Sequence, residues 1–131
     1  SKYFLDLLNA VITKTQFTGP RVKIDGYNIG GKTGTSELID PKGRYYKDRN
    51  LTSFIGVFPI NSPKYVVYTA ISYPKKPTSS TQKMTGAVVN APLVKDIIIN
   101  FINLFNISKD KTENLLKVDT NFLYRKFNAT I

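Results

Sequence analysis

Two runs of the sequence, Leu51–Phe58 and Tyr65–Ser72, are rich in β-branched and aromatic residues, and only six residues separate them. Pro59 and Pro63 stand in that connection. Such runs favour extended strands, and a parallel pair would need a crossover of about a dozen residues or more. The sequence therefore predicts an antiparallel hairpin, which any fold of this chain has to accommodate.

Helical spacing of apolar residues predicts an amphipathic helix on either side of the hairpin. The first covers residues 2–13, and its apolar positions are Phe4, Leu7, Leu8, Val11 and Ile12. The second lies beyond Pro92, and its apolar positions are Val94, Ile97, Ile98, Phe101, Ile102 and Phe105. A chain of 131 residues closes one core. We expect an α+β unit in which an antiparallel sheet of about three strands is flanked by N- and C-terminal helices.

The remaining segments are predicted from their turn-forming and charged residues. Gly19 and Pro20 should end the first helix, after which residues 22–24 turn extended. Residues 44–50 are rich in charge and predict a connection rather than a strand. A polar loop with two prolines covers residues 74–85.

The side-chain inventory excludes several kinds of chemistry. The chain has no Cys and no His, which rules out disulfides, thiolate nucleophiles, His-ligated metals and a Ser-His-Asp triad. Its formal net charge is +10, but the basic residues are scattered, whereas phosphate recognition uses clustered ones. We expect no nucleic-acid partner, and a basic noncatalytic interaction domain stays as an alternative. Lys95 and Asp96 interrupt the most apolar stretch, so we expect no membrane insertion.

The segment Gly26–Thr33 satisfies the P-loop pattern G-x-x-x-x-G-K-[ST]. That pattern binds nucleotide phosphates when a strand precedes it and a helix begins at the lysine. Gly34 and the Asp40-Pro41 pair disfavour a helix there. A nucleotide-binding module therefore remains an alternative, and the competing prediction is an extended strand.

As a strand, Gly31–Thr35 places an ammonium group, two hydroxyls and backbone amides within a few residues. The hydroxyls of Thr33 and Thr35 project from one face because side chains alternate along a strand. Gly34 between them lets a ligand lie against the backbone. This set suits a substrate with a carboxylate and a reactive carbonyl, whose oxyanion a backbone N–H stabilises.

The run Gly-Gly-Lys-Thr-Gly-Thr-Ser-Glu, residues 30–37, resembles the K-T-G strand of a penicillin-binding protein transpeptidase domain. Further segments that carry the resemblance are Arg44–Asp48, Leu51–Pro59, Pro63–Val67 and Gly86–Pro92, the last of which resembles the segment before the final helix of the family. The similarity runs from about residue 3 to residue 107. It is closest to the class B enzymes and favours the division-specific septal transpeptidase.

The resemblance implies a serine acyl-transfer enzyme that cross-links peptidoglycan stem peptides, binds β-lactams and needs no cofactor or metal. In such a site Lys32 supplies positive charge near an assisting serine and the substrate carboxylate. Thr33, Gly34 and Thr35 form the substrate-binding strand, with both hydroxyls on that carboxylate. The backbone N–H of Thr35 is one of two oxyanion donors.

Only one of the three family motifs is expected in this chain. The S-x-x-K nucleophile motif and the S-x-N motif precede K-T-G in the family, and the 31 residues before Lys32 contain neither. Ser80-Thr81-Gln82-Lys83 spells S-x-x-K downstream, and we interpret it as a coincidence because a loop does not hold a serine beside its lysine base. Residues 1–107 are thus predicted to be the C-terminal portion of a transpeptidase domain, and 108–131 a tail of unassigned role.

The resemblance also implies a location and partners for the parent protein. It would be held by an N-terminal membrane anchor absent from this chain and would work on the extracytoplasmic, periplasmic face of the cytoplasmic membrane. Divisome proteins are candidate partners. Without a nucleophile serine, this chain alone is predicted to be inactive.

Overall fold

The computed structural model describes residues 1–77 and 81–110. In chain order the elements are α1 (Lys2–Lys14), α2 (Gly19–Val22), β1 (Gly30–Ile39), β2 (Tyr45–Phe58), β3 (Tyr65–Ser72) and α3 (Gly86–Phe105). The three strands form one antiparallel sheet in the order β1-β2-β3. The predicted α+β class, the antiparallel hairpin and the two flanking helices are confirmed.

The core lies between α3 and one face of the sheet. Phe54 and Phe58 alternate along β2 toward this face and are fully buried, as are Val94 and Ile98 of α3. These four side chains belong to one apolar cluster. Burial of such large side chains from water is the main source of stability in a fold of this size, so the sheet and α3 form its stable centre.

The second face of the sheet is only partly covered. Leu8 of α1 packs with Val57 and Ile60 at one end of this face. Farther along, Ile55, Val66 and Tyr68 expose 37%, 65% and 63% of their surface. The aromatic and β-branched character of the Tyr65–Ser72 run predicts that Tyr68 packs on the sheet. It is exposed instead, because the part of the chain that the structure describes places no element over it.

Two of the predicted connections are regular structure. Gly19 and Pro20 were predicted to end the first helix, but α1 ends earlier, at Lys14. These two residues begin the short helix α2, which extends to Val22, so Val22 is helical rather than extended. A proline costs little at the first turn of a helix, where its missing N–H has no partner. The expected charged connection at 44–50 is also wrong, since β2 begins at Tyr45 and the pairing of Asn50 with Glu37 extends the sheet.

Helix α3 begins at Gly86, earlier than predicted, so Pro92 lies inside it rather than ahead of it. The proline removes one helical hydrogen bond, and burial of the surrounding face outweighs that cost. Ala91 beside it is fully buried. By length and composition α3 could also cross a membrane, with a mean hydropathy of 1.5. Its contacts with Phe54 and Phe58 identify it as the core helix of this fold.

A tight turn at Asp40–Gly43 joins β1 to β2 and pairs Ile39 with Tyr45, and the register shifts between this pair and that of Glu37 with Asn50. One carboxylate oxygen of Asp40 accepts hydrogen bonds from the backbone N–H groups of Lys42 and Arg44, at 2.8 and 2.9 Å. Gly43 has a φ of +78°, which favours glycine. The backbone N–H of Arg44, together with its side chain, lowers the pKa of Asp40. The turn is therefore strengthened above the ordinary pKa of Asp and weakened as pH falls through the lowered pKa.

The segment after α3 is tied to the loop that precedes β1. The Asp110 carboxylate accepts a 2.5 Å hydrogen bond from the backbone N–H of Asn28, and the Tyr27 hydroxyl donates to the Ile107 carbonyl at 2.8 Å. The carbonyl of Asn28 in turn accepts from the N–H of Ile60. The first residues of the predicted tail thus hold the entry to β1, whereas residues 111–131 lie outside the described part.

Candidate functional site

The predicted site residues lie on β1 at one edge of the sheet. We call residues Gly31–Thr35 the K-T-G wall. A Cβ atom at Gly31 would stand 2.6 Å from the Ile55 carbonyl oxygen and 2.7 Å from the Phe54 ring. Because neither group can withdraw without disturbing the core, Gly31 is needed for β1 to approach β2 closely. At this position glycine therefore serves the packing of the sheet.

The strand register assigns the wall residues to two faces. Thr33 pairs with Phe54 and Thr35 with Thr52, so both hydroxyl side chains project toward the face that α3 covers. Lys32 and Gly34 alternate to the opposite face. Both faces meet at the edge formed by β1, which is confirmed as an extended strand over all of these positions.

Lys32 is exposed, and its Nζ atom donates a 2.8 Å hydrogen bond to the Thr33 carbonyl. An ammonium group has three donors, so two remain for other acceptors. The side chain is thus held along the strand edge, and two of its N–H donors remain available for a ligand. On the same face, a Cβ at Gly34 would meet only the Ser53 side chain, whose Oγ would lie 2.5 Å away.

The N-terminus of α3 docks directly on the wall. The backbone N–H of Gly86 donates to Thr35 Oγ1 at 3.2 Å. A Cβ at Gly86 would lie 2.3 Å from the Ser53 carbonyl oxygen and 2.7 Å from that of Gly34. Sequence reasoning assigned no role to Gly86. The available signal was its place at the head of the Gly86–Pro92 segment, which carries part of the family resemblance.

Polar groups are buried between α3 and the sheet as well, including Thr52, the cross-strand partner of Thr35. Asn90 of α3 is fully buried, and its amide nitrogen donates to Thr69 Oγ1 at 3.0 Å. Thr52, also fully buried, donates its hydroxyl to the Ile71 carbonyl at 3.3 Å. Among the described residues, Asn90 Oδ1 and Thr85 Oγ1 have no hydrogen-bond partner. The environment next to Thr35 is therefore polar rather than a continuation of the apolar core.

The structure argues against nucleotide binding through the P-loop pattern. Lys32 and Thr33 lie inside a ten-residue strand, whereas the phosphate cradle needs a helix that begins at the lysine. Within the described residues there is also no group of three or more His, Cys, Asp or Glu that could hold a metal ion.

The other candidate residues of the sequence lie away from the wall or outside the described part of the chain. Aromatic residues near a hairpin usually cover the core, which predicts packing for Tyr45 and Tyr46 rather than a place over the substrate cleft, but Tyr45 is 66% exposed. The Arg49 guanidinium stacks on two tyrosine rings. Its carbon lies 4.4 Å from the ring centre of Tyr46 and 5.0 Å from that of Tyr73. Ser80 of the downstream S-x-x-K run lies outside the described residues, and Lys83 is exposed.

Comparison with known proteins places this geometry in a family. The model of the penicillin-binding protein transpeptidase domain matches residues 2–98. The peptidoglycan D,D-transpeptidase FtsI homologs of Chlorokybus atmophyticus and Mesostigma viride are each 40% identical to this chain, over 104 and 100 residues. The matches cover 79% and 76% of this chain but 14% and 16% of the relatives. The chain thus spans a small part of the curated relatives it matches.

A solved structure supports the fold independently. Penicillin binding protein 3 from Mycobacterium tuberculosis, complexed with ampicillin, matches with a TM-score of 0.68 at 24% identity, over 87% of this chain and 26% of that chain. The FtsI homologs agree with the predicted resemblance to the septal type. The family model matches residues 2–98, which are most of this chain, and the K-T-G wall lies at a sheet edge. The chain therefore belongs to the penicillin-binding protein transpeptidase family.

Proposed function

We propose that this chain contributes the substrate-binding wall of a peptidoglycan D,D-transpeptidase that works through an acyl-serine intermediate. The observation that carries the proposal is the run Lys32–Thr35 at the edge of the sheet, with an ammonium group on one face and two hydroxyls on the other. These donors suit an anionic peptide terminus. The curated relatives named above are peptidoglycan D,D-transpeptidases.

Each wall residue has a proposed part in binding or catalysis. The two free donors of the Lys32 ammonium group face an assisting serine and the substrate carboxylate. Thr33 and Thr35 donate their hydroxyls to that carboxylate, and Gly34 lets the ligand approach the backbone between them. The N–H of Thr35 is one of two donors to the oxyanion that develops on the attacked carbonyl.

The chemistry itself needs the serine of an S-x-x-K motif, and the 31 residues before Lys32 contain no such motif. In acylation the serine oxygen bonds to the substrate carbonyl carbon, the amide C–N bond breaks, and the serine proton goes to the leaving nitrogen. The S-x-x-K run at Ser80 lies downstream in a polar segment. We therefore propose that the chain alone is inactive and that the complete site forms with further transpeptidase sequence.

Ligands and location follow from the same proposal. The Mycobacterium tuberculosis neighbour is complexed with ampicillin, and a penicillin combines a carboxylate with a reactive carbonyl, the two groups for which the wall has donors. We propose peptidoglycan stem peptides as substrates, β-lactams as inhibitors, and divisome proteins as partners. The site of action is the extracytoplasmic, periplasmic face of the cytoplasmic membrane, reached through a membrane anchor on the parent protein.

A chimeric enzyme tests the proposed function. In the Chlorokybus atmophyticus relative, the segment that matches this chain over 104 residues is replaced by the corresponding residues of this chain; we call this protein the chimera. We expect the chimera to be acylated by a fluorescent penicillin at a rate within about tenfold of the unaltered relative. A folded chimera, with a cooperative melting transition, that is not labelled would contradict the proposal.

A further inference from the structure

Thr35 and Gly86 lie 51 positions apart in sequence and meet through one hydrogen bond, from the Gly86 backbone N–H to Thr35 Oγ1. A threonine hydroxyl has a single proton to donate and two lone pairs with which to accept. In this contact Thr35 acts as the acceptor. Its proton is therefore left for another acceptor, and Thr35 is exposed at the sheet edge where a ligand can reach it.

Gly86 is the residue type that permits this contact. Its absent Cβ would come within 2.3 and 2.7 Å of two backbone oxygens, those of Ser53 and Gly34. Backbone atoms of paired strands cannot rotate away as a flexible side chain can. A Cβ at position 86 would consequently push the start of α3 off the wall and separate its N–H from Thr35.

We propose that Gly86 is a positioning residue for substrate recognition. Its N–H donates to the Thr35 hydroxyl oxygen and thereby directs the hydroxyl proton to the ligand carboxylate. The inference rests on the proposed function and adds a residue of α3 to it. Gly86 does not touch the ligand. It selects which way the single Thr35 donor points, so that α3 contributes to the preference of the wall for anionic ligands alongside Lys32 and Thr33.

Four substitutions separate this role from a general effect on stability. Thr35→Val removes the acceptor with little change in volume, and Thr35→Ser retains it. Thr85→Val is the matched control, because the neighbouring Thr85 hydroxyl is buried and has no hydrogen-bond partner among the described residues. In addition, Gly86→Ala tests the close approach from the helix side.

The first measurement uses the 131-residue chain and amide hydrogen exchange at Gly86. We expect Thr35→Val to speed exchange at this amide about tenfold or more, because it loses its hydrogen-bond acceptor. Exchange in Thr35→Ser and in Thr85→Val should stay near that of the unmodified chain. Unchanged protection of Gly86 in Thr35→Val would overturn the assigned contact.

The second measurement compares acylation of the chimera by benzylpenicillin and by its methyl ester, which lacks the anionic carboxylate. We expect the unmodified chimera to prefer the acid about tenfold or more, as a charge-assisted hydrogen bond predicts. Gly86→Ala and Thr35→Val should lower this ratio several-fold, with the remaining preference due to Lys32 and Thr33, while Thr35→Ser and Thr85→Val retain the full ratio. A merely destabilised site would slow both compounds and leave the ratio unchanged.

The outcomes distinguish the two levels of the proposal. If the unmodified chimera is acylated and prefers the acid, but Gly86→Ala keeps that preference in full, the positioning role is wrong and the proposed function stands. If a folded chimera is not acylated by either compound, the proposed function itself fails.

Discussion

Replacement of Lys32 by alanine in the chimera is expected to lower the rate constant for acylation by ampicillin about 10²- to 10³-fold, the loss typical of removing one preorganised donor from such a site. The physical reason is the position of the ammonium group. It is exposed at the sheet edge and held there by its 2.8 Å bond to the Thr33 carbonyl, with two donors unspent. The measurement is the time course of labelling under pseudo-first-order conditions.

Two further variants make the Lys32 result specific. Lys64→Ala removes the same charge from the exposed β2–β3 loop and should change the rate less than about twofold, since solvent screens a distant surface charge. Lys32→Arg keeps the charge but presents a planar fork instead of a compact ammonium, and an intermediate rate is expected. Equal rates for Lys32→Ala and the unmodified chimera would exclude Lys32 from the site.

The second large effect is expected from Phe54→Ala in the 131-residue chain. Phe54 is fully buried between the sheet and α3. Its ring lies 2.7 Å from the position that a Cβ atom at Gly31 would take. Truncation of such a side chain leaves a cavity and costs about 3–5 kcal/mol. Urea unfolding followed by circular dichroism measures the change in the free energy of unfolding.

Tyr68→Ala is the control for Phe54→Ala. Tyr68 lies on the neighbouring strand but faces away from α3 and is 63% exposed, so its loss should cost less than about 1 kcal/mol. The Phe54 cavity also borders the K-T-G wall, and faster amide exchange at Gly31 should accompany the loss of stability. Similar losses for the two variants would show that the core does not lie on the α3 face.

The sequence predicted those parts of the fold that depend on local pattern. The hairpin at Leu51–Phe58 and Tyr65–Ser72 and the α1 helix follow from alternation and helical spacing, and all three were confirmed. Errors occurred where tertiary contacts override local preference. Pro92 disfavours a helix interior, yet the buried face of α3 holds the helix around it, and Tyr45 starts a strand in a charged segment because β1 pairs with it.

In the candidate site, too, local sequence predicts some features and tertiary contacts determine the others. The K-T-G wall is contiguous in sequence, so the order of its residues alone is enough to name them. The Gly86 contact spans 51 positions, and no local pattern indicates which threonine a helix N-terminus will meet. The local sequence likewise does not show which group needs the space at Gly31, since that group is the Phe54 ring of the neighbouring strand.

The measurement that tests the central claim most directly is the intact mass of the 131-residue chain after incubation with a large excess of benzylpenicillin, with a denatured sample as control. If the chain carries one wall of the site without its nucleophile, the mass stays unchanged in both samples. A stoichiometric adduct on the folded chain alone would contradict this account and would direct attention to Ser80.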